Sequence, residues 1–113
     1  RLPRVVGIGR EKHLILTGDI IDAGQELSIG LVSAVVPADK LDTTARELAG
    51  RVLRHGPLAA RLAKLVINAS ARVDLDSGLL IETLAQALCY QSDDKQEGTT
   101  AFLEKRKPKF TGK

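Results

Sequence analysis

One short run, Leu31 to Val36, is the only stretch of this chain patterned as a β-strand. It is rich in valine, apolar apart from Ser33, and stops at Pro37. That pattern predicts a single buried strand. A lone strand leaves its own N–H and C=O groups unpaired, and unpaired backbone is costly to bury. No convincing second strand occurs between residues 1 and 113, so the partner of this run is expected outside the sequence. The absence of any Met, at position 1 included, points the same way. The chain reads as a piece of something larger and mostly α.

The rest is patterned for helices. Arg10 to Leu16 predicts a short helix stopped at Gly18, where a C′ glycine is expected. Asp22 with Gln25 forms a capping-box pattern for a second short helix, closed by Gly30. From Asp39 on, Leu41, Ala45, Leu48, Ala49, Val52 and Leu53 recur at helical spacing. Gly56-Pro57 ends that helix and starts the next, with Pro57 at the tolerated first position. Asp74 or Asp76 caps a helix running to about Tyr90, with Leu80, Leu84, Ala87 and Leu88 expected to face inward. Ser92 caps the last, expected to reach about Arg106 before Pro108 forbids continuation. Residues 1–38 thus read as a connecting region with short helices and one strand, and residues 39–113 as a helical domain.

Composition narrows the class. The 113 residues are 43% hydrophobic and 27% charged, ordinary globular values. No apolar run reaches the ~18 residues of a membrane span, no secretory leader is visible, and Cys89 alone cannot form an internal disulfide. A cytoplasmic protein with no membrane partner is expected. The net charge of +3 is unevenly placed. Arg1, Arg4, Arg10 and Lys12 stand against Glu11 at one end, and Lys105, Arg106, Lys107, Lys109 and Lys113 against Glu104 at the other, around an acidic body. From charge alone the basic end is a loose, solvated tail or a surface for an anionic partner.

Few residues carry obvious chemistry. Gly7-Ile8-Gly9 lacks the preceding strand and third glycine of a dinucleotide fingerprint. His13 and His55 are far apart in sequence and show no metal-ligand spacing, so no metal site is predicted. Cys89 reads as a small core hydrophobe, and Glu82 as a helix-surface or interface carboxylate. The segment Ala101 to Phe110 carries more information. An aromatic ring, Phe102, is followed by the cation Lys105 at i+3, which on a helix puts both on one face. A ring beside an ammonium suits a ligand with a flat face and a phosphate, such as an adenine nucleotide. It also suits an acidic partner helix, or an ordinary helix end whose cations complement the dipole.

Taken in order, several segments resemble the C-terminal part of the enoyl-CoA hydratase/isomerase (crotonase) family across Arg1 to Lys113. They are Arg1-Leu2-Pro3-Arg4, Leu14-Ile15-Leu16-Thr17-Gly18 with Ile21-Asp22-Ala23, and Gly30-Leu31-Val32-Ser33 with Val35-Val36-Pro37. Gly56-Pro57-Leu58-Ala59 with Ala63-Lys64 follows, then the run from Glu97 to Phe110. The resemblance implies a spiral of ββα turns, absent from this chain, followed by a helical C-terminal domain of the crotonase fold. That domain closes over coenzyme A and drives assembly into trimers or dimers of trimers. The Leu31–Val36 strand would then pair with the spiral.

The resemblance further implies a parent enzyme acting on acyl-CoA thioesters, for example hydrating trans-2-enoyl-CoA in fatty-acid metabolism. It would stabilise an enolate with two backbone N–H groups and move protons with glutamates. No residue here matches a catalytic position, so the chain by itself is expected to be inactive. No cofactor is required, coenzyme A being part of the substrate. The positions that carry over are Phe102 and Lys105, against the adenine and its ribose phosphate. An upstream aromatic of the family is replaced by Gln86. The competing expectation is a helical interaction module whose basic tail binds nucleic acid or an acidic partner, against which the acidic body weighs. Without its spiral core, the chain is expected to self-associate, as a dimer, through its uncovered strand and helix faces.

Overall fold

The structure, a computed structural model, describes residues 1–113 and forms two compact units, Arg1–Thr44 and Ala45–Lys113. In the first unit lie α1 (Pro3–Val6), α2 (Ile8–Thr17), α3 (Ala23–Ser28), a 3-10 turn (Ala38–Lys40) and the start of α4 (Leu41–Val52). α1 packs on α2, and Val6 is the apolar residue buried there. Gly18, with φ +72°, ends α2 by returning its N–H to the Leu14 carbonyl. Around α3 the capping box is complete. The Gln25 N–H donates to the Asp22 carboxylate at 2.8 Å, and the Asp22 N–H donates to the Gln25 side-chain oxygen at 2.9 Å. Its other end closes with paired bonds, Gly30 N–H to Leu27 O at 3.1 Å and Leu31 N–H to Glu26 O at 2.9 Å. Gly30 takes φ +75°, as this closure requires.

The predicted strand does not form. Leu31 to Ser33 bend and Ala34 to Pro37 run without regular structure. The reason is the one that made the run conspicuous: no second segment of the chain offers a hydrogen-bond ladder.

The second unit holds most of α4, then α5 (Pro57–Ser70), α6 (Leu75–Tyr90) and α7 (Asp93–Leu103). α5 packs along α6, and α6 meets α7. Local chemistry sets the ends. Asp74 caps α6, accepting from the Ser77 N–H at 3.0 Å and the Ser77 hydroxyl at 2.7 Å. The Ser77 N–H is the main reason its carboxyl lies below the usual range. Ser92 caps α7 through the Lys95 N–H at 3.2 Å.

The inward face of α6 differs from expectation. Beyond the first turn, where Ser77 and Gly78 are half-buried, the half-buried positions are Ile81, Ala85 and Cys89, while Leu80, Leu84 and Leu88 are all more than half exposed and Ala87 is exposed as well. Ile81, Ala85 and Cys89 follow one another at i, i+4, i+8. α6 is apolar on nearly every side, and such a helix is built to be covered from several directions. Its periodicity therefore does not select the face that meets α5. The same incompleteness holds for the whole chain. Its accessible surface is 9352 Å², whereas a monomer of this mass exposes roughly 6,000 Å². Val6 and Ala101 are its only buried apolar residues.

Candidate functional site

The site is built where α7 ends. The helix stops at Leu103, earlier than the expected Arg106. Glu104 is the last residue near helical geometry, and Lys105 turns into the left-handed region with φ +53°. Two bonds close the turn: Lys105 N–H to Phe102 O at 3.2 Å and Arg106 N–H to Ala101 O at 3.0 Å. This is the closure that Gly30 makes after α3, with lysine in place of glycine. A left-handed lysine costs about 1 kcal/mol or more. Phe102 and Lys105 are thus joined through the backbone, but they do not share a helix face as the i, i+3 spacing predicts. Lys105 has already left the helix.

Ala101 is 1% exposed and anchors the helix end, whereas the neighbouring Phe102 is 82% exposed. The Phe102 ring lines an open groove of about 520 Å³ with Gln86, Cys89, Tyr90, Lys95 and Phe110. Lys95 places its ammonium 5.5 Å from the centre of the Tyr90 ring. Lys105 is exposed, lies outside this groove's lining and makes no ion pair.

The segment after Lys105 is not a loose tail, one of the two readings that its charge left open. It folds back along α7 as a strap, fastened by two carboxylates of that helix. Glu97 takes both terminal nitrogens of Arg106, Nη1 at 2.6 Å and Nη2 at 2.9 Å, and also the Lys109 N–H at 2.6 Å. Glu104 takes Arg106 Nε at 2.6 Å. The Arg106 guanidinium, followed by the Lys109 N–H, brings the Glu97 carboxyl down from 4.5 to about 2. In return the carboxylates of Glu97 and Glu104 push the Arg106 guanidinium further up.

Asp94, only 6% exposed, accepts from the Thr111 N–H at 2.6 Å and the Gly112 N–H at 2.9 Å. The Asp93 N–H, at the start of α7, donates to the Lys113 carbonyl at 2.9 Å. Glycines allow these approaches. A Cβ on Gly56 would stand 3.3 Å from the Asp94 carboxylate, and one on Gly98 would stand 3.4 Å from the Phe110 ring.

Asp94, Glu97, Gly56 and Phe110 are the residues whose part in holding the strap sequence reasoning missed. Acidic residues near a helix start read as complements to its dipole. The signal available was their i, i+3 spacing ahead of a basic segment beyond the helix end. Of the remaining candidates, His13 lies 3.2 Å from Asp19 and both are exposed. His55 and Glu82 are exposed. Cys89, expected in a core, is half-buried because its groove is open. No group of His, Cys, Asp or Glu is arranged to hold a metal ion. No helix is long and apolar enough to cross a membrane.

The strapped helix end thus carries an outward ring and a cation without an ion partner, and comparison with known proteins identifies the fold to which it belongs. The profile of the enoyl-CoA hydratase/isomerase family matches residues 1–113, and the chain belongs to this family. It is 45% identical over 113 residues to a crotonyl-CoA hydratase of Syntrophomonas wolfei, covering 44% of that protein. It is 41% identical over 107 residues to a short-chain-enoyl-CoA hydratase of Clostridium acetobutylicum, covering 41% of it. Among solved structures, the enoyl-CoA hydratase of Bacillus anthracis superposes with a TM-score of 0.96 at 43% identity, over 99% of this chain and 43% of that one. The chain therefore spans less than half the length of these relatives.

Proposed function

We propose that the chain is the C-terminal helical part of an enzyme acting on acyl-CoA thioesters, with hydration of trans-2-enoyl-CoA as its reaction. In this reading Phe102 and Lys105 receive the adenine end of coenzyme A, by stacking and by a point charge for phosphate. The observation that carries the reading is the Phe102 ring, 82% exposed next to a buried Ala101 and joined through the closing turn to a lysine without an ion partner. With Tyr90 and Phe110 the ring lines one open groove, and a contiguous exposed apolar patch of this kind marks a binding or packing surface.

Residues 1–38 act as the connector to the catalytic part, and residues 39–113 as the assembly and CoA-closing part. The uncovered faces of α4 to α6 support cover by that part and by further copies in a trimer or dimer of trimers. The chain supplies no catalytic group, no resident cofactor takes part, and the enzyme works in the cytoplasm. A nucleic-acid-tracking tail is disfavoured, because Arg106 is already held by Glu97 and Glu104.

The test is Phe102→Ala with Lys105→Ala in the protein that joins this chain to the rest of the fold. Removing binding remote from the reacting atoms should raise KM for acyl-CoA about ten-fold and leave kcat within about two-fold. An unchanged KM removes the assignment.

A further inference from the structure

Lys105 is the only residue other than glycine with a positive φ. Left-handed backbone is unfavourable for lysine, so the surrounding structure must impose it. The two closing bonds at Lys105 and Arg106 are the same as those after α3, where glycine adopts the turn unaided. What differs lies just downstream. Arg106 is forked onto both oxygens of Glu97, and one of those oxygens also holds the Lys109 N–H. Glu97 therefore grips the strap directly after Lys105 and again at Lys109. It lines a second hollow, with Asp93, Asp94, Arg106, Lys109 and Thr111, which shares Asp94 with the groove that Phe102 lines but places Glu97 outside that groove.

We infer that Glu97 is a positioning residue: by clamping Arg106 and the Lys109 amide it holds Lys105 in its left-handed turn and fixes where that ammonium meets a phosphate-bearing ligand. The inference rests on the proposed role of Phe102 and Lys105. Glu97 also settles which cation is available. Arg106 is the stronger phosphate binder by geometry, but its donors are directed at Glu97 and Glu104. Lys105 is left as the first unpaired charge after the ring.

The experiment compares two substrates of the intact enzyme: an enoyl-CoA, and the matching enoyl-pantetheine thioester, which lacks the adenosine phosphate end. Glu97→Gln keeps the side chain's size but removes its charge and one acceptor. It should raise KM for the CoA substrate about five-fold, leave kcat within about two-fold, and leave kcat/KM for the pantetheine substrate unchanged. Arg106→Lys, which keeps the charge but loses the fork, should do the same, and Glu97→Gln should add little on top of Lys105→Ala. Arg106→Lys carries the test if Glu97→Gln fails to fold.

If Lys105→Ala raises the CoA KM and neither clamp variant does, the positioning role is overturned while the reading of Lys105 stands. Equal losses on both substrates overturn it too, since they reveal a general structural role. If Lys105→Ala has no effect on the CoA KM, the underlying reading falls and this inference with it.

Discussion

Two regions of the second unit are finished to different degrees. From Asp93 to Lys113, polar partners are matched: Glu97 with Arg106, Asp94 with two strap amides, and the first amide of α7 with the Lys113 carbonyl. From α4 to α6 the reverse holds. Leu48, Val52, Leu80, Leu84 and Leu88 are all more than half exposed. The strap is closed by hydrogen bonds between residues no more than twenty apart in sequence, which the chain can make alone. The helix faces need apolar area from elsewhere, because hydrophobic stabilisation arises only when two surfaces are removed from water together. A family member that spans less than half its relatives is expected to have local polar structure complete and hydrophobic cover missing.

The largest effect should come from the open faces. Prepared by itself, this chain should associate at tens of micromolar, and light scattering after size exclusion should give a dimer or larger species. A concentration-independent mass near 12.1 kDa would show that the faces are tolerated and would erase the contrast.

A smaller effect should follow from opening the strap. Asp94→Ala strands the Thr111 and Gly112 amides and empties a buried site beside Gly56. Two hydrogen bonds to a charged acceptor make a loss of about 3 kcal/mol reasonable, readable in the thermal denaturation of the intact protein. Faster hydrogen exchange should appear at those two amides. If the melting temperature and exchange stay as they were, the strap is not held by Asp94.

The smallest effect is that of pH on the other clasp. The Glu97 carboxyl is depressed from 4.5 to about 2 in the folded protein. Its contribution is therefore fully present above pH 4.5, where both folded and unfolded forms are ionised. It falls as pH drops from 4.5 to 2, because the unfolded chain takes up the proton first. The difference in urea midpoint between the natural protein and Glu97→Gln should accordingly be constant above about pH 5 and shrink toward pH 2. A difference that does not change over that window would mean the ion pair is not formed.

How much of this was legible in the sequence depends on the range of each interaction. Helix ends were read well where a cap lies within a turn of what it caps: Asp22 with Gln25, Asp74 with Ser77, Ser92 with Lys95, and Pro57 opening α5. Phe102 could be singled out because an aromatic followed by cations is visible as text. The left-handed turn at Lys105 was not, since nothing in a lysine codes for it. It follows from Glu97 holding Arg106 nine residues away.

Likewise the basic tail reads as solvated until Asp94 and Glu97 are seen to reach it. The apolar α6 has no preferred side until α5 occupies one, and Leu31–Val36 is strand-like only to a reader who supplies a partner. By itself the sequence determined α2 to α7, most of their caps and the family, because these depend on neighbours along the chain and on residue order; α1 and the stop of α7 at Leu103 were not read from it. The strap, the orientation of α6 and the geometry at Lys105 were decided only in the tertiary structure. There, side chains distant in sequence compete for the same donors and the same apolar surface, and the outcome is set by which of them meet.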